Sequence, residues 1–265
     1  MPLGPFEQEI LRVLATNRNP DSYVAGATVL NQSPDSPRAS QDIDLFHDTV
    51  EALRVSVEVD LASLMRAGFE ATLVTQHDTF CRARIQRGEA ASKIEWVNDS
   101  AFRFFPIEPD AELGWRLNFW DAATNKVLAA AGRSVARDYL DMIWLHQRHL
   151  SLGALVWAAA AKDPGFSPEL IVDMARRHAK YRQEELDAVR PVQPIKVREL
   201  KQVFLQAADE AEALFQRLPV AEMGCFYLDT SRRPVCPDPD APGFAALTRH
   251  YGSIKGAWPR IVEDP

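Results

Sequence analysis

Nowhere in the 265 residues do 18 apolar side chains run together, so the sequence offers no membrane-spanning helix. Its longest alanine-rich stretch, Leu152 to Ala161, is too short to cross a bilayer. Cysteine is scarce. Cys81, Cys225 and Cys236 have neither metal-ligand nor paired spacing, and their odd number fits a reducing cytosol. An excess of positive charge is missing too. A formal net charge of −7 gives no overall attraction for nucleic acid, which argues against non-specific coating of DNA but leaves room for a local basic groove. Met1 to Gln8 lacks a basic segment followed by an apolar core, so no secretory leader is expected and the chain reads as cytoplasmic.

What is present is an ordinary globular composition, 46% hydrophobic and 25% charged, enough to bury one large core or two modest ones. Phe6, Ile10, Val13 and Leu14 recur at helical spacing over residues 5–16. Tyr23-Val24-Ala25 reads as a short strand running into Gly26-Ala27-Thr28-Val29-Leu30, a strand–glycine–helix junction. Such a junction turns backbone N–H groups outward and suits an anion such as a triphosphate, although a plain strand-to-helix turn has the same pattern. Val50, Leu53, Val57, Leu61 and Leu64 mark the core face of a helix over 48–67, with Gly68 placed to end it. A strand is expected at 69–76, then a hairpin with arms 80–86 and 92–97 about Arg87-Gly88-Glu89. Residues 108–113 read as irregular and 115–119 as a last short strand.

From Asp121 to Leu218 nearly everything reads as helix: 121–132, 134–148, 150–162, 167–178 and 196–217, with a proline-bearing break over 186–194. Residues 223–229 read as extended, and the proline-rich remainder after Ser231 as loops. The class is therefore α+β, a front half of mixed strands and helices followed by a helical bundle. The expected division is 1–120, 121–230 and a tail over 231–265.

Two constellations carry chemistry. In Arg38-Ala39-Ser40-Gln41-Asp42-Ile43-Asp44-Leu45-Phe46 a strand would project Asp42 and Asp44 to one side and Ile43 and Leu45 to the other. Paired carboxylates are hard oxygen ligands for a divalent cation; two solvated acids in a surface loop would look the same. Glu95 is an acid in mid-strand, where an unpartnered carboxylate is uncommon, and a cross-strand ion pair with Arg82 or Arg84 accounts for it. The second constellation is Lys126, then Asp138 and Asp141, three apart and so on one face of a helix. A solvated charged face with Arg137 and Asp141 paired would also account for it.

Taken together, Gly26-Ala27, Arg38-x-Ser40-x-Asp42-Ile43-Asp44-Leu45 and Lys126 followed by Asp138-x-x-Asp141 resemble the AbiEii family of nucleotidyltransferases. These are the toxin halves of type IV toxin–antitoxin and abortive-infection systems, within the polymerase β-like superfamily. The resemblance covers about residues 20–150 by motif and the helical half by character. It implies an N-terminal polymerase β-like mixed sheet flanked by helices, and a helical domain that completes the active site. The implied activity is Mg²⁺-dependent transfer of a nucleoside monophosphate from an NTP to an acceptor hydroxyl, a tRNA 3′ end, with a cognate antitoxin as partner. Asp42, Asp44 and Glu95 would hold the metal, and Glu95 could instead accept the proton of the attacking hydroxyl. Gly26, Ala27, Arg38, Ser40 and Lys126 would contact the nucleotide, with Asp138 and Asp141 supporting the site. Arg82, Arg84, Lys93 and Arg133 are candidates for the acceptor channel, with Arg87 and Arg137 near them, and Arg176, Arg177, Lys180 and Arg182 form a second basic patch. Ala27 departs from the glycine or serine frequent in the family, and Glu95 from its usual aspartate. A small-molecule or protein acceptor, or a non-catalytic member of the fold, are the alternative readings.

Overall fold

The first of the chain's two units, Met1–Ala101 with Pro106–Ala122, is built on a mixed seven-stranded sheet in the computed structural model, which describes residues 3–33, 35–40 and 42–259. Its elements run α1 (Pro5–Leu14), β1 (Ser22–Ala25), α2 (Gly26–Leu30), β2 (Asp42–His47), α3 (Val50–Arg66), β3 (Glu70–His77), β4 (Phe80–Arg87) and β5 (Ala90–Asn98). After β6 (Phe102–Arg103), which belongs to the second unit, come β7 (Glu108–Asp110) and β8 (Gly114–Arg116). In space the strands are ordered β3-β4-β5-β2-β1-β8-β7. β2 runs parallel to β5, and β1 parallel to β8; the other neighbours are antiparallel.

Alternation sets which face is buried. Ile43 and Leu45 of β2, Ile94 and Trp96 of β5, and Ala83 and Ile85 of β4 are fully buried, and α1 and α3 pack against this part of the sheet. α3 starts where the Thr49 hydroxyl accepts from the Ala52 amide at 3.1 Å, and it stops before Gly68, whose φ of +83° ends the helix. Its buried stripe is not the purely apolar one expected. Asp60 and Ser56 lie in it beside Leu53, Val57 and Leu64, while Leu61 is only half-buried.

Asp60 is the centre of a buried polar network. One carboxylate oxygen accepts from Asn17 Nδ2 at 2.9 Å and from the Arg18 guanidinium. The other accepts from Trp96 Nε1 at 2.8 Å and Ser56 Oγ at 3.1 Å. Arg18 also donates to Ser22 Oγ at 2.8 Å. Ser22 Oγ in turn lies 3.0 Å from His47 Nε2, and His47 Nδ1 lies 3.3 Å from the Val97 carbonyl. A carbonyl only accepts, so Nδ1 carries the proton and Nε2 accepts from the serine. The network thus ties α1's end, β1, α3 and β5 to the last residue of β2.

The 108–113 stretch, expected to be irregular, forms β7 and an Asx turn. Asp110 Oδ1 accepts from the amides of Glu112 and Leu113, both at 2.9 Å, and Arg116 of β8 pairs with Glu108 and Asp110, both at 3.2 Å.

The second unit is Phe102–Phe105 with Ala123–Pro265. α4 (Phe119–Gly132) begins in the first unit and continues in this one, followed by α5 (Ala136–Arg148), α6 (Leu152–Ala159), α7 (Pro168–His178), α8 (Gln183–Asp187) and α9 (Val197–Phe215). Gly153 lets α6 and α9 close on each other: a Cβ there would lie 3.0 Å from Ala211 Cα. The break expected over 186–194 is preceded by the short α8, and the stretch expected as loops carries strands. β9 (Cys225–Leu228) pairs with β10 (Thr248–Tyr251), and β11 (Ser253–Ile254) pairs with β6. His250 Nε2 donates to the Phe104 carbonyl at 2.8 Å, which is why residues 102–105 belong here. Residues 260–265 of the expected tail lie outside the described residues. Among the described residues no helix is long and apolar enough to cross a membrane.

Candidate active site

Asp42 and Asp44 stand on the half-exposed face of β2, opposite the buried Ile43 and Leu45. Parallel pairing puts Lys93 beside Asp42 and Glu95 beside Asp44. On the next strand, antiparallel pairing puts Arg82 beside Glu95 and Arg84 beside Lys93. Residues paired across a sheet share a face, so three carboxylates and three cations gather on one side of three adjacent strands.

The charges are engaged with one another. Lys93 Nζ lies 3.3 Å from Asp42 Oδ1 and 3.2 Å from Glu95 Oε1. Arg82 Nη2 lies 2.9 Å from the same Glu95 oxygen, with Nε at 3.0 Å. The alternative of a cross-strand ion pair at Glu95 is therefore realised, with Arg82 as partner. Arg84 is exposed. Among the described residues no group of three or more histidine, cysteine or acidic side chains is gathered closely enough to hold a metal. Asp42 and Asp44 remain as a pair.

The junction before the pair is built around them. Gly26 has a φ of +64°, and a Cβ on it would sit 2.0 Å from Asp44 Oδ2. Only a glycine allows the backbone to pass the carboxylate this closely. Ala27 follows, buried at the start of α2. Thr28 Oγ1 and Ser40 Oγ both donate to the Asp42 carbonyl, each at 3.1 Å, and so pin the first residue of β2. Arg38 is buried, with Nη1 donating to the Ala39 carbonyl at 3.1 Å. Thr28 had no sequence signal apart from its place two residues after the glycine.

In the second unit Lys126, Asp138 and Asp141 come together. Lys126 Nζ lies 2.7 Å from Asp138 Oδ1 and 3.3 Å from Asp141 Oδ2, and Arg133 Nε lies 2.7 Å from Asp138 Oδ2. Both aspartates are fully buried, which overturns the reading of a solvated charged face. Burial alone would push the Asp138 carboxyl up; Lys126 and Arg133 outweigh it and hold it below its ordinary value. The second basic patch is largely neutralised: Arg176 pairs with Asp209 at 2.6 Å and with Glu212, Arg177 with Asp173 at 2.5 Å, and Arg182 with Glu185 at 3.5 Å.

Similar architecture occurs in solved structures. MenT4, a nucleotidyltransferase toxin from Mycobacterium tuberculosis H37Rv, superposes with a TM-score of 0.59 at 16% identity, over 82% of this chain and 83% of that one. A candidate nucleotidyltransferase from H. pylori superposes at 0.51 with 16% identity, over 81% of this chain and 96% of that one. The chain has the nucleotidyltransferase fold. No family model matches the sequence, and neither does any curated protein. At this identity the nucleotidyltransferase fold is what the likeness carries. The sequence expectation of an α+β nucleotidyltransferase architecture, a mixed sheet flanked by helices and then a helical bundle, agrees with it.

Proposed function

We propose that the chain transfers a nucleoside monophosphate from an NTP to an acceptor hydroxyl, with Asp42 and Asp44 holding a divalent cation. The observation that carries this is the Gly26–Asp44 approach. A helix-start junction whose backbone passes within a Cβ of a strand carboxylate, beside a second carboxylate on the same face, is a cradle for a metal-bound phosphate. Both donors are hard oxygens, with no sulfur or imidazole between them, so the pair suits Mg²⁺, which commonly takes one or two carboxylates and completes its shell with water and substrate phosphates. When bound, such an ion neutralises phosphate charge and orients the in-line displacement. The chain's own contribution is to hold the two carboxylates rigidly: Thr28 and Ser40 fix the Asp42 main chain, and the Asp60 network fixes the other end of β2.

As acceptor we infer a tRNA 3′ end and as biological role a toxin of the AbiEii type, inhibited by a cognate antitoxin. The motif resemblance supports both, and the likeness to MenT4, a nucleotidyltransferase toxin, supports the toxin role. A triphosphate contact by Lys126, positioned by Asp138 and Asp141, is carried over from the same resemblance. Purified protein incubated with labelled NTPs, Mg²⁺ and total tRNA should transfer label, and Asp42→Asn with Asp44→Asn should abolish transfer without unfolding the chain. No transfer with any nucleotide, or equal transfer by that variant, would sink the reading. Label appearing on protein or on a small molecule instead would replace the acceptor and keep the chemistry.

A further inference from the structure

Lys93 was expected to face an acceptor, yet its ammonium lies between two carboxylates of the metal face, 3.3 Å from Asp42 and 3.2 Å from Glu95. Its register neighbours explain why. β5 runs parallel to β2, so Lys93 is directly beside Asp42, and Glu95, two residues on, is on the same side. Three acids this close on one sheet face would repel one another and compete for cations. Lys93 and Arg82 cancel most of that charge.

The two cations are not equivalent. Arg82 meets Glu95 with two nitrogens of a planar fork, a geometry that is hard to rearrange. Lys93 holds Asp42 and Glu95 with a single point charge on a flexible stem, so it can swing away without breaking a fixed fork geometry. Glu95, with both cations on one oxygen, is already neutralised. At Asp42 the lysine ammonium stands 3.3 Å from Oδ1.

The geometry points to Lys93 as an internal counter-ion of the metal face, a positioning residue that occupies Asp42 in the metal-free protein and must be displaced when a divalent cation binds. Glu95 then keeps Arg82 and gives Lys93 a place to rest, so that Asp42 and Asp44 act as the metal pair without it. The displaced ammonium stays on the same face, where it meets the anionic substrate. The inference rests on the functional reading above. It predicts opposite signs for two affinities: removing Lys93 tightens metal and loosens nucleotide.

The test is Mn²⁺ binding to the full chain by calorimetry, without nucleotide, for wild type, Lys93→Met and Lys93→Arg, with unfolding curves confirming that each variant is folded. Lys93→Met keeps the stem and removes the charge; it should bind Mn²⁺ about five-fold more tightly, since one charge in contact with the ligand set is lost. Lys93→Arg should stay near wild type. In a second titration, with Mn²⁺ saturating, Lys93→Met should bind a non-hydrolysable NTP more weakly. Mn²⁺ affinity that is unchanged or weaker in Lys93→Met, with binding still abolished by Asp42→Asn and Asp44→Asn, would overturn the counter-ion role and leave the functional reading standing. No Mn²⁺ binding by wild type or Lys93→Met, with or without the nucleotide, would overturn both.

Discussion

Gly26 lies so close to Asp44 that a single added carbon would sit 2.0 Å from the carboxylate oxygen. Turning the carboxylate away would relieve the shortest contact, but Asp44 Cβ, at 3.0 Å, would still have to give by a few tenths of an ångström. Gly26→Ala must therefore push Asp44 or the helix start aside, and it must also place a side chain at φ +64°, which costs on the order of 1–2 kcal/mol. The expected outcome is a small loss of stability and a large loss of transfer, about 100-fold or more, by analogy with displaced electrostatic groups in other active sites. Activity measured beside thermal unfolding separates the two. Near-wild-type transfer by a folded Gly26→Ala protein would show that the approach is incidental.

Asp60→Ala is expected to be among the most damaging substitutions away from Asp42 and Asp44. It would strand the Arg18 guanidinium in a fully buried site and remove the acceptor from Trp96, Ser56 and Asn17. Breaking one partner of a buried ion pair costs about 3–5 kcal/mol. Denaturant unfolding reads this directly, and the double variant Arg18→Met with Asp60→Leu should recover part of the loss.

The same network makes stability depend on pH. Burial and the neighbouring Arg18 depress His47 to about 4, from an ordinary value of 6.5. Below pH 6.5 the unfolded chain takes up a proton that the folded one refuses, so folding stability falls as pH drops from about 6.5 to about 4 and levels off below. The full loss is on the order of 3 kcal/mol. His47→Gln, which cannot take up that proton, should flatten the slope across that window; a slope unchanged in the variant would assign it to other groups.

Lys126→Met removes a cation shared by two buried carboxylates, Asp138 and Asp141. A stability loss of about 3–5 kcal/mol is expected. Adding Asp141→Asn to Lys126→Met should restore part of it, because one buried carboxylate charge that faced the lysine is then gone. Chemical denaturation of the single and double variants gives the comparison, and additive losses would argue against the shared pairing.

The strand residues of the Asp42–Asp44–Glu95 face were readable because their signal is local. Period-two alternation alone puts Asp42 and Asp44 opposite Ile43 and Leu45, and Glu95 opposite Ile94 and Trp96. Which strands neighbour one another was not readable. The β2–β5 pairing is parallel and joins segments separated by a helix and two strands, and nothing within either segment encodes its register. The contact of Lys93 with Asp42 could not be read from the sequence for that reason. Asp60 did have a signal: it falls on the Leu53–Val57–Leu64 stripe, where an acid must be buried and paired, but Leu61 beside it completed an apolar pattern and masked it. In the helical half, three-residue spacing joined Asp138 to Asp141, whereas their burial followed from packing that no local pattern encodes.

The parallel pairing of β2 with β5 also bears on when during synthesis this surface can exist. The β4–β5 hairpin closes locally, but β2 must wait for it, since its partner strand is complete only at Asn98. A nascent chain that has emerged only through α3 therefore displays Asp42 and Asp44 without the strand that brings Lys93 and Glu95 to them. The completed surface, with Lys93 and Glu95 beside the two aspartates, can therefore exist only after β5 has been translated.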